Sequence, residues 1–248
     1  MYRFILILSL FFTNFFVFAQ TSFLQKQKQY SRVRTAIKEK DSLIKANLKI
    51  NNIKASELNI LIIVFKAEDK LELYAKKKTD KEYKKIETYN ICAKSGELGP
   101  KRQQGDLQVP EGFYYINRFN PYSSFYLSLG LNYPNASDKK KSSANDLGGD
   151  ISIHGDCVTI GCVPMTDDKI KEIYLYAVYA KNAGQNKIPV YIFPFRMTDK
   201  NFKNYSNQYK NSEKLIKFWT NLKSGYDKFQ NDNKDLNIKV DTKGNYLF

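Results

Sequence analysis

The chain is poor in the side chains that build most reactive centres. Its 248 residues hold one histidine, three cysteines, three methionines and one tryptophan. A single His excludes centres built from several imidazoles. With only three Cys besides, the set His154-x2-Cys157-x4-Cys162 offers three nearby soft ligands, where structural zinc wants four and the third cysteine, Cys92, lies far off in sequence. The zinc deaminase signature is absent. An odd cysteine count in an exported chain leaves a free thiol or a bond between chains. A Cys92–Cys157 disulfide leaving Cys162 free is one pairing, and only spatial distance decides it. There is no internal repeat, no low-complexity tract and no clear linker.

Acidic residues are also scarce relative to basic ones. Lys and Arg number 40 against 25 Asp and Glu, a formal charge of +15. In an exported protein that balance expects an acidic partner: nucleic acid, an anionic lipid face or an anionic wall polymer. The lysines are spread along the chain, which equally fits a solvated surface. Export itself is read from residues 1–20, MYRFILILSLFFTNFFVFAQ. Arg3, a long apolar run and the small-residue pattern at Val17 and Ala19 are those of a secretory signal peptide cut after Ala19 or Gln20. A retained anchor is the other reading of a run this long. No Cys follows the run to carry a lipid.

The periodicity predicts the elements. Residues 21–58 hold an amphipathic helix with its stripe at Tyr30, Val33, Ile37, Ile44 and Leu48. Strands are expected at 60–65, 70–75, 82–92, 112–119, 124–129, 150–154 and 188–193. Thr166 caps a helix whose first turn holds Asp167 and Asp168, with Gly184 as its stop. Residues 59–196 read as the catalytic domain. Residues 197–248 read as a C-terminal helix with Trp219 and a short hairpin around Lys243–Gly244, packed on that domain. Two long polar segments, Lys94–Gly112 and Asn132–Gly149, are too long for plain turns and read as functional loops, one on each side of the site.

The sharpest signal is IHGDCVTIGCVPMT, Ile153–Thr166, which brings the only His within eight residues of a Gly-flanked Cys. A thiol attacks as its thiolate, and imidazole is the usual base that makes one. His154 at a strand end is expected to be oriented through its second ring nitrogen, most simply by a backbone carbonyl. Cys162 sits ahead of a helix whose dipole would lower its pKa. The amides of Gly161 and Cys162, with Gly155, are candidates for an oxyanion hole. Inert structural thiols and a metal site remain the other readings of the same residues.

The segment resembles the active-site motif of the L,D-transpeptidase catalytic domain family (YkuD-type): His154-Gly155 followed by Thr159-Ile160-Gly161-Cys162. Further stretches are similar to the YafK-like branch of that family: SRVRTAIKEK from Ser31, VFKAEDKLELY from Val64, YNICAKSGELGPKRQQGDLQVPEGFYYINRFNP from Tyr89 and LSLGLNYPN from Leu127. Ile160 stands where many members have His, and Val163-Pro164 where many have Arg. The resemblance implies a mainly β fold with peripheral helices (α+β), a curved mixed sheet or sandwich. It implies a Cys162 nucleophile and a His154 base forming a thioester on diaminopimelate-containing murein stem peptides, in the periplasm or cell envelope, in wall biogenesis and cell shape. No metal or organic cofactor and no nucleic acid is called for; proximity to the wall or a membrane surface is. Lys101, Arg102, Arg118, Tyr133 and Thr159 are the candidates for substrate binding. The alternatives are a hydrolase that trims stem peptides or releases murein-linked protein, and a non-catalytic basic wall-binding protein.

Overall fold

The computed structural model describes residues 21–248. The signal-peptide reading falls on residues 1–20, outside them. Among the described residues no helix is long and apolar enough to cross a membrane.

A curled mixed sheet of eight strands organises the chain. Its order is β3 (Lys84–Asn90), β2 (Lys70–Lys77), β1 (Leu58–Phe65), β8 (Ile188–Phe193), β4 (Gly112–Asn120), β5 (Ser128–Leu131), β6 (Ser152–His154) and β7 (Val163–Pro164). The β1–β8 and β6–β7 pairs are parallel and the rest antiparallel. Central strands covered on both faces should be apolar throughout, and β1 is from Ile60 to Phe65. Its Ile60, Ile62 and Val64 enter one core while Leu61, Ile63 and Phe65 enter the other. Strand β8 divides likewise, Val190 and Ile192 against Tyr191 and Phe193.

The first core is closed by α2 (Ser31–Ile50) and α4 (Asp167–Asn182). Helix α2 buries Val33, Ile44 and Leu48 of the expected stripe, and Ala36 besides, while Tyr30, its N-cap, and Ile37 are partly buried; a short α1 (Phe23–Gln27) precedes it after a break. Lys40 bridges Asp168 and Glu172, and the Tyr179 hydroxyl donates to Asp41, so polar contacts fix how α2 sits on α4. Thr166 caps α4 by accepting from Lys169 N, as expected; the helix ends at Asn182, with Gly184 just beyond.

The second core is closed by α6 (Glu213–Asp232), which buries Phe218, Trp219, Leu222, Tyr226 and Phe229. Each such side chain contributes roughly 1.5–3 kcal/mol by leaving water. The Trp219 indole donates to the fully buried Glu111 (2.9 Å), which also accepts from Lys66 Nζ (3.0 Å) and Gly99 N (2.7 Å). This cluster ties the C-terminal helix to the loop before β4. The two-stranded hairpin β9–β10 (Lys239–Val240, Tyr246–Leu247) closes the chain.

Besides the separate α1 and the two-residue β7, three elements depart from the sequence expectation. The expected second loop contains α3 (Ala136–Lys141), whose N-cap Asn135 accepts from Ser137 N and Asp138 N. A further helix, α5 (Asp199–Gln208), starts at its Thr198 cap inside the stretch assigned a single helix. The strand expected at 124–129 runs instead from Ser128 to Leu131. The two helices are short polar sequences that start at a capping side chain, and β5 is placed by its neighbouring strands, neither of which apolar periodicity reports.

Candidate active site

Strand period two puts Ser152 and His154 of β6 on the same face. Strand β7 lies parallel beside β6, with Ile153 opposite Val163 and His154 opposite Pro164. One step back along that register sets Cys162 beside Ser152, and the Ser152 hydroxyl lies 3.8 Å from Cys162 Sγ. His154 and Cys162 are thus diagonal neighbours across two short strands. Both line a cavity of about 780 Å³. The ladder, rather than the interval along the chain, brings them together.

His154 is buried (1% exposed), with the Phe125 ring 4.6 Å from its own. Its Nδ1 lies 2.6 Å from the Gly155 carbonyl oxygen. A carbonyl only accepts, so Nδ1 carries the proton and Nε2 keeps a free lone pair. Burial lowers the imidazole pKa, and the Gly155 hydrogen bond and Asp156 offset this only in part. The ring is neutral at pH 7, the form that takes a proton.

Cys162 is the free thiol, half-buried, with Sγ 3.6 Å from the Asp150 carbonyl. Burial pushes its pKa above the ordinary value, against the lowering influence of Ser152 and of Lys101. The expected depression by the helix dipole does not occur, because β7 and Met165 separate Cys162 from the first turn of α4, and such a dipole fades within a turn. The resting pair is a neutral thiol beside a neutral imidazole.

The turn between them is held at both ends. Cys157 is disulfide-bonded to Cys92, their Cα atoms 5.5 Å apart. This removes Cys157 from any metal site, and no cluster of three metal-binding side chains occurs among the described residues. Asp156 and Cys157 both take left-handed backbone angles, φ 63° and 36°, which cost free energy in residues other than glycine. Gly161 follows at φ 136°, and a Cβ there would sit 3.1 Å from the Gln108 carbonyl oxygen. At Gly155 a Cβ would lie 2.5 Å from Asp167 Oδ1, so only glycine fits between the strand end and α4.

The expected oxyanion donors are occupied. Gly161 N (3.1 Å) and Cys162 N (2.8 Å) both donate to Thr159 Oγ1, and Gly155 N donates to the Phe125 and Leu127 carbonyls. Thr159 Oγ1 in turn donates to Cys162 O (2.9 Å), closing a side-chain turn around Cys162. Thr159 lines the cavity, but its hydroxyl serves this turn.

The substrate-binding candidates separate. Lys101 lines the cavity, yet its ammonium is buried against Asp106 (2.7 Å) and the Gln103 carbonyl (2.8 Å). Arg102, the next residue, points away to Asp138 (3.0 Å). Arg118 pairs with the exposed Asp150 (2.9 Å), whose backbone and side chain border the cavity. Tyr133 is buried and donates to the Leu147 carbonyl (3.0 Å), so it joins loops. The sequence reading missed Ser152 and Phe125. Period two from His154 marks the first; no local signal marks the second.

The two long segments do not flank the site from opposite sides. They touch, through Gln104 N to Asp146 O (3.0 Å) and Ser142 Oγ to Arg102 O (2.6 Å), and together wall the same cavity. The start of the first segment, with the β1–β2 turn and Tyr209, walls a smaller space of about 260 Å³ that reaches Cys162 separately.

Comparison with known proteins decides the family. The profile of the L,D-transpeptidase catalytic domain family (YkuD) matches residues 59–192. This chain belongs to that family. YafK of Escherichia coli (strain K12), named as a candidate L,D-transpeptidase, is 40% identical over 190 residues, 76% of this chain and 73% of its own; the protein of that name in Escherichia coli O157:H7 gives the same values. Among solved structures, the helical cell shape determining protein Pgp2 of Campylobacter jejuni is similar over 75% of this chain and 74% of its own, at 20% identity and TM-score 0.43. A mutant form of it aligns over 56% of this chain and 48% of its own, at 23% identity and TM-score 0.43. Bd1075 of Bdellovibrio bacteriovorus aligns over 55% and 48%, at 27% identity and TM-score 0.40. The matched L,D-transpeptidase catalytic domain spans β1 to β8 and contains His154 and Cys162.

Proposed function

We propose that the protein is a murein L,D-transpeptidase-like enzyme that works through a thioester on Cys162. The observation that carries this reading is the presence of the one free thiol and the one imidazole in a shared cavity, the imidazole holding its proton on Nδ1 so that Nε2 keeps its lone pair. His154 Nε2 accepts the thiol proton while Sγ bonds to the carbonyl carbon of a stem-peptide amide. The tetrahedral adduct collapses, the C–N bond breaks, and His154 returns the proton to the leaving amine. An acceptor amine then attacks the thioester and gives a cross-link, with Cys162 regenerated as thiol.

Two spaces that meet at Cys162 support transpeptidation over plain hydrolysis, because a donor and an acceptor need room on either side of one sulfur. Trimming of stem peptides and release of murein-linked protein use the same intermediate with water as acceptor. Substrate of this kind places the protein in the periplasm or cell envelope, and the family's relation to the wall extends the reading to wall biogenesis and cell shape. The chemistry uses no metal or organic cofactor.

The test is mass analysis of the protein incubated with defined muropeptides. The expected result is an acyl-enzyme adduct on Cys162 and cross-linked products. Cys162→Ser is expected to reduce turnover by at least about a thousandfold, since this imidazole deprotonates a hydroxyl far less readily than a thiol. Near wild-type turnover in Cys162→Ser would refute the nucleophile, and shortened muropeptides alone would assign hydrolysis.

A further inference from the structure

Beyond the reaction cavity, on the other side of the Pro100–Arg102 stretch, lies a cleft of about 570 Å³. Five cations line it: Arg102, Lys141, Lys214, Lys217 and Lys243. They come from four separate parts of the fold, namely the loop before β4, the end of α3, the start of α6 and the β9–β10 turn. Leu215 and Phe218 supply apolar surface, and no Asp or Glu is among the lining residues.

The carboxylates nearby are committed elsewhere. Asp138 is buried under Arg102 and Tyr114. Asp241 accepts from Lys243 N, Asn245 N and Asn245 Nδ2. Glu213 meets Lys217 on the exposed face of α6, where water screens the pair. Among the described residues, the Lys214 and Lys243 ammonium groups make no hydrogen bond or ion pair. Lys141 donates only to Asn245 Oδ1 (2.7 Å), and burial together with the charge of Arg102 holds its pKa below the ordinary value. The Arg102 guanidinium lies over the Phe218 ring at 5.0 Å and gives one nitrogen to Asp138, leaving further donors for a planar carboxylate. Arg102, Lys141 and Lys217 have carboxylates near them, but the Lys214 and Lys243 ammonium groups converge on the cleft without one, and an anionic ligand would relieve their mutual repulsion.

We infer that this cleft is a second, non-reacting binding site for a carboxylate-rich chain, one that seats the acidic stem adjacent to the stem under reaction. The inference rests on the murein reading above. Lys101 lines the reaction cavity and Arg102 the cleft, and consecutive Cα atoms lie about 3.8 Å apart. The two spaces therefore adjoin the same short stretch of backbone, which suits two neighbouring stems of one strand. The cleft is too large for one small anion, and its cations over apolar surface suit carboxylates carried on aliphatic stems. Lys214, Lys217 and Lys243 lie beyond residue 192, where the matched family domain ends. This would be a feature added to the catalytic domain by the C-terminal segment.

The test compares the full chain with Lys214→Gln/Lys243→Gln, whose altered side chains hold nothing in the fold; an unchanged thermal transition checks this. Two substrates are used, a single-stem muropeptide and a glycan strand bearing several stems. The variant is expected to raise KM for the multi-stem substrate about tenfold, with kcat on both substrates and KM for the single stem unchanged. An unchanged multi-stem KM, or an equal rise on both substrates, overturns the inference. Turnover of neither substrate by the wild type would refute the murein reading instead. Equilibrium binding of hexaglutamate then decides the cleft: binding lost in the variant upholds the carboxylate site, and equal binding in both proteins overturns it. Inorganic phosphate bound where hexaglutamate is not also overturns it.

Discussion

The reaction cavity and the basic cleft lie on opposite sides of one backbone stretch and treat charge in opposite ways. In the cavity, the Lys101 ammonium is buried against Asp106, and the Cys162 thiol, its pKa raised by burial, lies beside an imidazole whose pKa burial lowers. In the cleft, Lys214 and Lys243 stand without partners among the described residues. Balanced charge and neutral groups suit the acyl exchange proposed for this cavity, since a stray charge would be costly there. Unbalanced charge suits a place that only holds its ligand. The comparison teaches that Lys101 and Arg102, identical in sequence logic as candidate carboxylate binders, separate by where their counter-ions lie.

The sharpest way to break the comparison is to loosen the cavity alone. The Cys92–Cys157 disulfide spans 65 residues and anchors the turn that carries Cys162. Closing a loop of that length in the unfolded chain contributes about 4 kcal/mol by the chain-entropy account. Cys92→Ser/Cys157→Ser is therefore expected to lower unfolding free energy by about that amount, measured by urea denaturation. It should also lower kcat, while hexaglutamate binding at the cleft stays as in the wild type. Equal losses at both places would mean that cavity and cleft form one rigid unit.

A smaller perturbation makes the cavity resemble the cleft. Asp106→Asn leaves the Lys101 ammonium buried without its counter-ion, and it also weakens the acceptor for Arg102 N, Gln103 N and Gln108 N. Breaking one side of a buried pair costs about 3 kcal/mol or more. The expected result is a drop of that size in stability, with Lys101→Met/Asp106→Asn recovering part of it. A neutral outcome for the single variant would show that water reaches Lys101.

How much of this was written locally follows from which forces are local. The core of β1 and β8, the stripe of α2 and the Thr166 cap depend on side-chain period and on one capping oxygen, and all were legible. His154 and Cys162 stood out by rarity and by their glycines. Strand β7, two residues long, exists only through its ladder with β6, so the register that makes the two residues neighbours could not be read beforehand. The Thr159 turn was missed for a related reason: its hydroxyl competes for the same amides that seemed open to an oxyanion. The cleft was invisible because its cations lie up to 141 positions apart, Arg102 to Lys243, and only the packing of the hairpin and α6 against α3 brings them together.

The finest test concerns the neutrality of the reacting pair. His154 has a folded pKa below its ordinary 6.5, and Cys162 one above its ordinary 9.0. Between those two ordinary values neither group is charged in the folded protein. Below 6.5 the unfolded chain accepts a proton at His154 that the folded chain refuses, so this group's contribution to stability is lost as pH falls toward its folded value. Above 9.0 the unfolded thiol ionises while the folded one does not, so stability falls there as pH rises. Catalysis by a neutral base follows the same lower edge. The acid limb of kcat/KM should have its midpoint below 6.5, and activity should hold level across neutral pH. Alkylation of Cys162 by iodoacetamide should rise with a midpoint above 9.0. A resting thiolate–imidazolium pair would behave differently, alkylating rapidly well below pH 7. That outcome would mean that charge is stabilised inside the cavity after all, and the contrast with the cleft would reduce to one of counter-ions alone.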